Sequence, residues 1–410
     1  MHCDNGSLLT KLNGEEHLLY LNPKESSPMK TLISEFVAKN GSEALDIPLM
    51  LLNIDVIHNR YALWKQLMPL VEPWYAVKCN PNPVLVSELK ELGCNFDCAT
   101  SLEIELVTSM GHPSDKIVYA NPCKLVTHLK RAQSLGVDLT VFDNEAELVK
   151  IANTFPESRL LIRLAPIDDS KAQCPMSIKF GVPPAKVRFL LEKARSLNLN
   201  VVGVHFHVGS GCNDVSAYRV ALSEARRVFD LAGECGYQFS LLDMGGGYPG
   251  CDEAGRISFG DIAEEVNCLL PVLFPETKVI AEPGRFFAHD ACTLVTRVVS
   301  KAEISEHGKR KIRYHINDGL YGSFNCLLYD HAALVEPFLL DDSCQNDVKV
   351  PCSVFGPTCD GFDKISELIE TLPELNVGDL ILWPKMGAYT SAAATNFNGF
   401  ATPQYLYYKQ

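Results

Sequence analysis

Five ionisable residues of this chain stand at or just past the end of a short apolar run. Lys78 closes Trp-Tyr-Ala-Val-Lys, Asp97 lies in Asn-Phe-Asp-Cys, Arg163 closes Leu-Leu-Ile-Arg, His207 closes His-Phe-His, and Glu282 follows Val-Ile-Ala. The run Gly245, Gly246, Gly247 follows Leu-Leu-Asp-Met. Singly, each has an ordinary explanation: a solvated lysine, a satisfied core histidine, a turn. On successive strand ends they converge on one cavity. A lysine amine, a glycine-rich anion cradle, an arginine, a carboxylate and an imidazole together suit a group with an aldehyde, a phosphate and a basic ring nitrogen. Pyridoxal phosphate has all three. The lysine would bond to the aldehyde, the carboxylate would keep the ring nitrogen protonated so that the ring withdraws electrons, and glycine N–H groups would hold the phosphate.

The elements that must position these residues are legible as runs of β-branched and apolar residues alternating with helical periodicity, the pattern of parallel strands joined by crossover helices. Strands are expected at Trp74–Lys78, Asn95–Ala99, Ile117–Asn121, Leu139–Asp143, Leu160–Leu164, Val201–His207, Leu241–Met244 and Val279–Glu282. Asp214 can cap a helix whose Tyr218, Leu222, Ala225, Phe229 and Ala232 share one apolar face. Eight β-α units over roughly 210 residues fit an α/β fold of the closed (β/α)8 TIM-barrel type, with chemistry at the C-terminal strand ends. After Arg285 the texture turns β-rich, as in Thr293–Val299, Ile312–Ile316 and Asp379–Trp383, with Gly, Pro, Asn and Asp clusters between. This reads as a second, mainly antiparallel β-domain, and Pro48–Asn53, a ninth strand candidate, is assigned to it. The expected division is a barrel over 55–284 and a β-domain from 1–54 and 285–410.

The chain has 410 residues, 47% hydrophobic and 21% charged, enough for two cores. A net charge of −13 argues against nucleic-acid or anionic-membrane partners, which need a basic face, and is compatible with a cationic small substrate. The 15 cysteines are scattered, odd in number and never spaced Cys-x-x-Cys, so they read as reduced thiols. The N-terminus, Met-His-Cys-Asp-Asn-Gly-Ser, lacks a signal-peptide pattern, and no apolar run approaches the ~20 residues of a spanning helix, so the expected location is cytoplasmic.

Longer stretches carry a resemblance. They are Tyr-Ala-Val-Lys-Cys-Asn-Pro at 75–81, Asp-Asp-Ser-Lys at 168–171, His-Val-Gly-Ser-Gly-Cys at 207–212 and Ala-Glu-Pro-Gly-Arg at 281–285. Further on come Asn-Asp-Gly-Leu-Tyr-Gly-Ser-Phe-Asn-Cys at 317–326, Gly-Pro-Thr-Cys-Asp-Gly at 356–361, Met-Gly-Ala-Tyr-Thr at 386–390 and Asn-Phe-Asn-Gly-Phe at 396–400. Over about residues 45–400 the chain resembles the fold-type III, alanine-racemase-like pyridoxal-phosphate decarboxylases. That resemblance implies decarboxylation of a basic amino acid, L-ornithine foremost, to putrescine and carbon dioxide. Lysine or arginine as substrate, or a non-catalytic homologue of the antizyme-inhibitor kind, are the alternatives.

The same resemblance implies roles. Lys78 carries the cofactor covalently, Glu282 pairs with its ring nitrogen and His207 stacks on its face. Ser210, Gly245, Gly246, Gly247, Arg285 and Tyr389 hold the phosphate, while Asp97, Glu103 and Arg163 support the cofactor. Asp330 and Asp360 receive the substrate's distal ammonium, Cys359 returns a proton to its α-carbon, and Tyr321 and Phe397 line the substrate pocket. No metal is expected. Partners implied are a second copy of the chain, with shared sites and a Lys171–Asp363 ion pair between subunits, and a regulatory antizyme. Two departures from the family pattern stand out: Ala-Pro-Ile before Asp168 is one residue longer than that pattern, and His205 stands where a small residue is common.

Overall fold

The structure is a computed structural model that describes residues 18–20, 28–165, 171–175, 179–306, 308–340 and 348–409. The departure at 165–168 and most of the 168–171 motif lie outside the described residues. The chain forms two units, one of residues 57–288 and one of residues 1–56 with 289–410.

The first unit is a closed barrel of eight parallel strands, here β1 Glu72–Ala76, β2 Asn95–Cys98, β3 Ile117–Tyr119, β4 Leu139–Phe142, β5 Arg159–Arg163, β6 Asn200–His205, β7 Leu241–Asp243 and β8 Lys278–Ala281. All eight expected strands are present, so the α/β barrel class holds. β3 and β4 are buried throughout, because sheet faces covered by helices on one side and by the barrel interior on the other leave no room for alternation. Inside, Trp74, Val118, Leu139, Val141, Leu161, Leu241 and Ile280 pack as one cluster. Each such side chain contributes roughly 1.5–3 kcal/mol by leaving water.

Local sequence starts the crossover helices. Asn82 accepts from the N–H groups of Val84 and Leu85 with Pro83 in the first turn, Thr100 caps Glu103, and Asn144 caps Glu147. Ser258 and Asp261 form a capping box for Phe259–Leu273. The helix anticipated after Asp214 spans Val215–Glu234, and Tyr218, Leu222, Ala225, Phe229 and Ala232 are all buried.

The strands end earlier than their apolar runs. The β1–β2 ladder closes at the Ala76–Asp97 pair, and Val77–Cys79 then winds into a single 3-10 turn, so Lys78 projects from a turn rather than a strand. β6 stops at His205, placing His207 in the following loop. Glu282 lies one residue past β8.

In the second unit an eight-stranded sheet runs in the order Leu18–Tyr20, Gln404–Lys409, Leu49–Asn53, Cys292–Glu306, Lys309–Ile316, Cys352–Phe355, Lys364–Ile369, with Leu380–Trp383 also paired to Cys292–Glu306. Four pairings are antiparallel and three parallel, the parallel ones including both contacts of the C-terminal strand. Cys292–Glu306 is much longer than its legible core, because an irregularity between Val298 and Ser300 lets it serve one set of partners before the bend and another after it. Leu32, Ile33, Phe36, Leu49, Leu51, Val295, Leu382 and Leu406 form this unit's core.

Candidate active site

The C-terminal end of the barrel gathers Lys78, Asp97, Arg163, His207 and Glu282, since parallel strands all present this end together. The Lys78 ammonium, partly exposed, bonds to the fully buried Asp97 carboxylate. Burial pushes the Asp97 carboxyl up, Glu282 adds to the rise, and Lys78 opposes it. Glu103 sits three residues past the Thr100 cap and its Oε2 accepts the Ala99 N–H at 2.6 Å, so this carboxylate anchors the backbone beyond β2. Arg163 is buried, with its guanidinium 5.0 Å from the Phe180 ring centre.

Glu282 is buried and its Oε2 lies 3.1 Å from His205 Nε2. Asp243, the last residue of β7, is buried beside it and accepts the Gly245 N–H at 2.9 Å. Of this carboxylate pair, Asp243 is the proton carrier: burial and the neighbouring Glu282 push its carboxyl well up, whereas Glu282 is held low, against its burial, by His205 and Lys78. One buried anion therefore faces the barrel mouth.

Around it the glycine run makes space. Gly245 and Gly247 have φ of 58° and 116°, a region that disfavours other residues. A Cβ on Gly246 would meet His207 Nε2 at 2.9 Å, and one on Gly247 would meet Val208 Cγ2 at 2.7 Å. Arg285 Nη2 donates to Ser210 Oγ at 3.0 Å, joining the short helix Arg285–Ala288 after β8 to the short strand Ser210–Cys212 after β6. His207 Nδ1 accepts the Gly209 N–H at 2.9 Å, so a neutral ring carries its proton on Nε2; burial and Arg163 push its basicity well down.

In the second unit, the Tyr321 hydroxyl donates to Asp360, whose Oδ1 accepts the Phe362 N–H at 3.0 Å, and these bonds hold the Asp360 carboxyl below the usual range. Tyr321 and Phe397 stack with ring centres 4.3 Å apart. Cys359 is exposed, and its N–H donates to Asn398 Oδ1 at 3.1 Å, which fixes the backbone next to Asp360. Asp330 is buried at the end of the short helix Cys326–Tyr329. Tyr389 lies on a separate loop with φ 56°, a strained position held by its neighbour Thr390, whose hydroxyl donates to Met386 O at 2.6 Å and whose carbonyl accepts from Asn325 at 2.7 Å.

Lys171 and Asp363, expected to pair between two copies of the chain, also have partners within one chain. Lys171 bonds to Asp214 at 2.8 Å, and Asp363 is buried in its own unit, where it accepts from the Leu320 N–H at 2.7 Å and the Thr358 hydroxyl at 2.7 Å. Asp363 thus ties the 317–326 motif to the 356–361 motif, a role the sequence reading missed because a buried acid and an exposed one look alike in sequence.

Asp318 is a second such acid. It accepts from the N–H groups of Gly319 and Ser323, at 2.7 and 2.8 Å, and burial raises its carboxyl to about 6. An acid with a raised folded-state value binds its proton more tightly when folded, so stability falls as pH rises from about 4 through about 6. Asp318→Asn, which keeps the acceptor and removes the charge, should gain stability relative to wild type across that window, by at most 2–3 kcal/mol or on that order, and hold a constant difference above it. Denaturant unfolding at pH 4, 6 and 8 checks this; a pH-independent difference contradicts it.

A family model for the pyridoxal binding domain of pyridoxal-dependent decarboxylases matches residues 54–289, more than half of the chain. The chain belongs to this family. It is 44% identical over 364 residues to the ornithine decarboxylase of Mus musculus, covering 86% of this chain and 78% of that one. It is also 46% identical over 358 residues to antizyme inhibitor 2 of Xenopus laevis, covering 84% and 77%. Among solved structures, the Paramecium bursaria Chlorella virus arginine decarboxylase bound to agmatine aligns with a TM-score of 0.85 at 33% identity, over 93% of this chain and all of that one.

Pyridoxal phosphate is the cofactor of this decarboxylase family, and the residues present fit it. Lys78 supplies an amine at the barrel mouth, the buried Glu282 carboxylate suits a protonated ring nitrogen, and Arg285 with the Ser210 hydroxyl, 3.0 Å apart, offers the cation and hydrogen-bond donor that suit a phosphate. His205 and Asp243 are the functional candidates sequence reasoning passed over. Asp243 carried the same signal as the others, a polar residue closing an apolar run just before the glycines.

Proposed function

We propose that this decarboxylase converts L-ornithine to putrescine and carbon dioxide. The observation that carries the substrate is the Asp360 carboxylate, kept ionised by the Phe362 N–H and by Tyr321, whose ring stacks on Phe397: an anion held by an aromatic pair suits an ammonium at the end of a short methylene chain. Similarity to the mouse ornithine decarboxylase over most of the chain supports the same reading.

Pyridoxal phosphate supplies an electron-withdrawing ring that takes up the electron pair left when carbon dioxide departs. Lys78 would hold the cofactor through its amine. Asp97 steadies the Lys78 ammonium, with Glu103 and Arg163 behind it, and Glu282 holds the proton on the ring nitrogen. His207, neutral, would pack against the cofactor's ring. Ser210, Gly245, Gly246, Gly247, Arg285 and Tyr389 bind the phosphate, Asp330 and Asp360 bind the distal ammonium, and Tyr321 and Phe397 form the pocket wall. Cys359 delivers a proton to the α-carbon.

These residues divide between a barrel over 55–284 and a β-domain from 1–54 and 285–410, so we assign the active form to a homodimer with shared sites. An antizyme is the further partner proposed. Among the described residues no helix is long and apolar enough to cross a membrane. We place the protein in the cytoplasm.

Asp360→Ala is expected to raise the Michaelis constant for ornithine by about 10–100-fold, the effect of losing a charged hydrogen-bond partner, with cofactor affinity unchanged. Steady-state kinetics with a parallel cofactor titration tests this, and an unchanged constant would remove Asp360 from substrate binding. The second reading is a non-catalytic protein, favoured by similarity to antizyme inhibitor 2. Visible absorbance of the purified chain, lost on borohydride treatment, speaks for the enzyme; a colourless protein that stays colourless with added pyridoxal phosphate speaks for the regulator.

A further inference from the structure

Glu282 is not the only buried polar group at the floor of the site. His205, the last residue of β6, is completely buried, and its strand register sets it between Arg163 on β5 and Asp243 on β7. Residues in register on adjacent parallel strands point to the same face, so the three form one layer across the barrel. Nε2 of His205 lies 3.1 Å from Glu282 Oε2, while Nδ1 is buried and finds no hydrogen-bond partner among the described residues.

The tautomer follows from the partners. An ionised Glu282 offers only acceptors, so the proton must sit on Nε2. The unpartnered Nδ1 is then a bare lone pair, and burial with Arg163 and Lys78 nearby disfavours a second proton there. His205 is a neutral, one-sided donor aimed at one carboxylate oxygen. Asp243 lies within 4.8 Å of the same carboxylate, without a hydrogen bond to it, and is anchored through Oδ1 to the Gly245 N–H at 2.9 Å. Two carboxylates sharing one proton can place it on either. The extra donor on Glu282 breaks that symmetry.

We propose that His205 is a positioning residue: its Nε2–H fixes the negative charge of the Asp243–Glu282 pair on Glu282, so that the site selects a cofactor ring carrying a protonated nitrogen. This rests on the reading of Glu282 as the partner of that nitrogen. Without His205 the shared proton moves between the two acids, and the charge facing the ring falls. Lys78, Asp97, Arg163 and His207 also act on this pair, but among the described residues His205 alone hydrogen-bonds a Glu282 side-chain oxygen.

The test is equilibrium binding of pyridoxal phosphate and of its 1-deaza analogue, in which CH replaces the ring nitrogen, to cofactor-free full-length protein. Wild type should prefer the natural cofactor. His205→Leu should lower that preference by about tenfold, one pKa unit of coupling, while His205→Gln, whose amide nitrogen reaches a position similar to Nε2, should keep it. A purely structural role would weaken both ligands by one factor and leave the preference intact, which would overturn the proposal. Should the leucine variant not fold, His205→Asn, too short to reach Glu282, takes its place: loss in Asn with retention in Gln supports the proposal, and equal behaviour of the two overturns it. A wild type with no preference would instead overturn the reading of Glu282, and this proposal with it.

Discussion

Lys78→Ala is expected to remove the visible absorbance of the purified protein and to lower turnover by about 10^2–10^4-fold or more, the range for deleting a positioned group that also moves protons. The reason is geometric. Lys78 projects from the turn after β1 with its ammonium partly exposed at the barrel mouth. Lys124, another lysine beyond a barrel strand, cannot substitute, because its amine is buried against Val141 O, Asn121 O and Glu147, at 2.6, 3.1 and 3.0 Å. Absorbance spectra and carbon dioxide release on the same sample check the prediction. Unchanged colour and rate in the variant would sink the assignment of Lys78.

Mixing of inactive chains should restore activity. Lys78 belongs to the barrel and Cys359 to the β-domain, and in the proposed dimer each site draws on both chains. Lys78→Ala and Cys359→Ala chains are each expected to be nearly inactive in decarboxylation. After dissociation and equal remixing, half of the dimers combine the two, and each of these has one site with both residues intact. About one quarter of wild-type activity should return, the figure that random two-fold assortment dictates. Cys359→Ala alone should also divert turnovers toward the pyridoxamine form of the cofactor, since the proton it would deliver goes to the wrong carbon. Zero recovery with subunit exchange demonstrated by mass labels would mean that each site lies within one chain.

Much of this was legible in the sequence, for a physical reason. Parallel strands buried on both faces read as uninterrupted apolar runs, which makes all eight barrel strands legible; the cap at Asp214 is a local signal of the same kind. What local patterns do not carry is where pairing stops. Lys78 and His207 fall outside their strands because the ladders run out at Ala76 and His205, a property of the neighbouring strand rather than of the run itself. The parallel pairing of Gln404–Lys409 with Leu49–Asn53 joins the two ends of the chain, and no local signal encodes it. Buried acids were the other blind spot. Asp318 and Asp363 are recognisable only once their N–H donors and neighbours are in place.

Release of carbon dioxide by the purified chain from ornithine, lysine and arginine, each labelled at the carboxyl carbon and assayed in parallel with added pyridoxal phosphate, tests the central claim most directly. The account predicts fastest release from ornithine, with putrescine formed in equal amount. Slower release from lysine is expected, since one methylene is worth only about 1–3 kcal/mol of discrimination, and slower still from arginine. Release from arginine exceeding that from ornithine, or none from any of the three by cofactor-loaded protein, would contradict it.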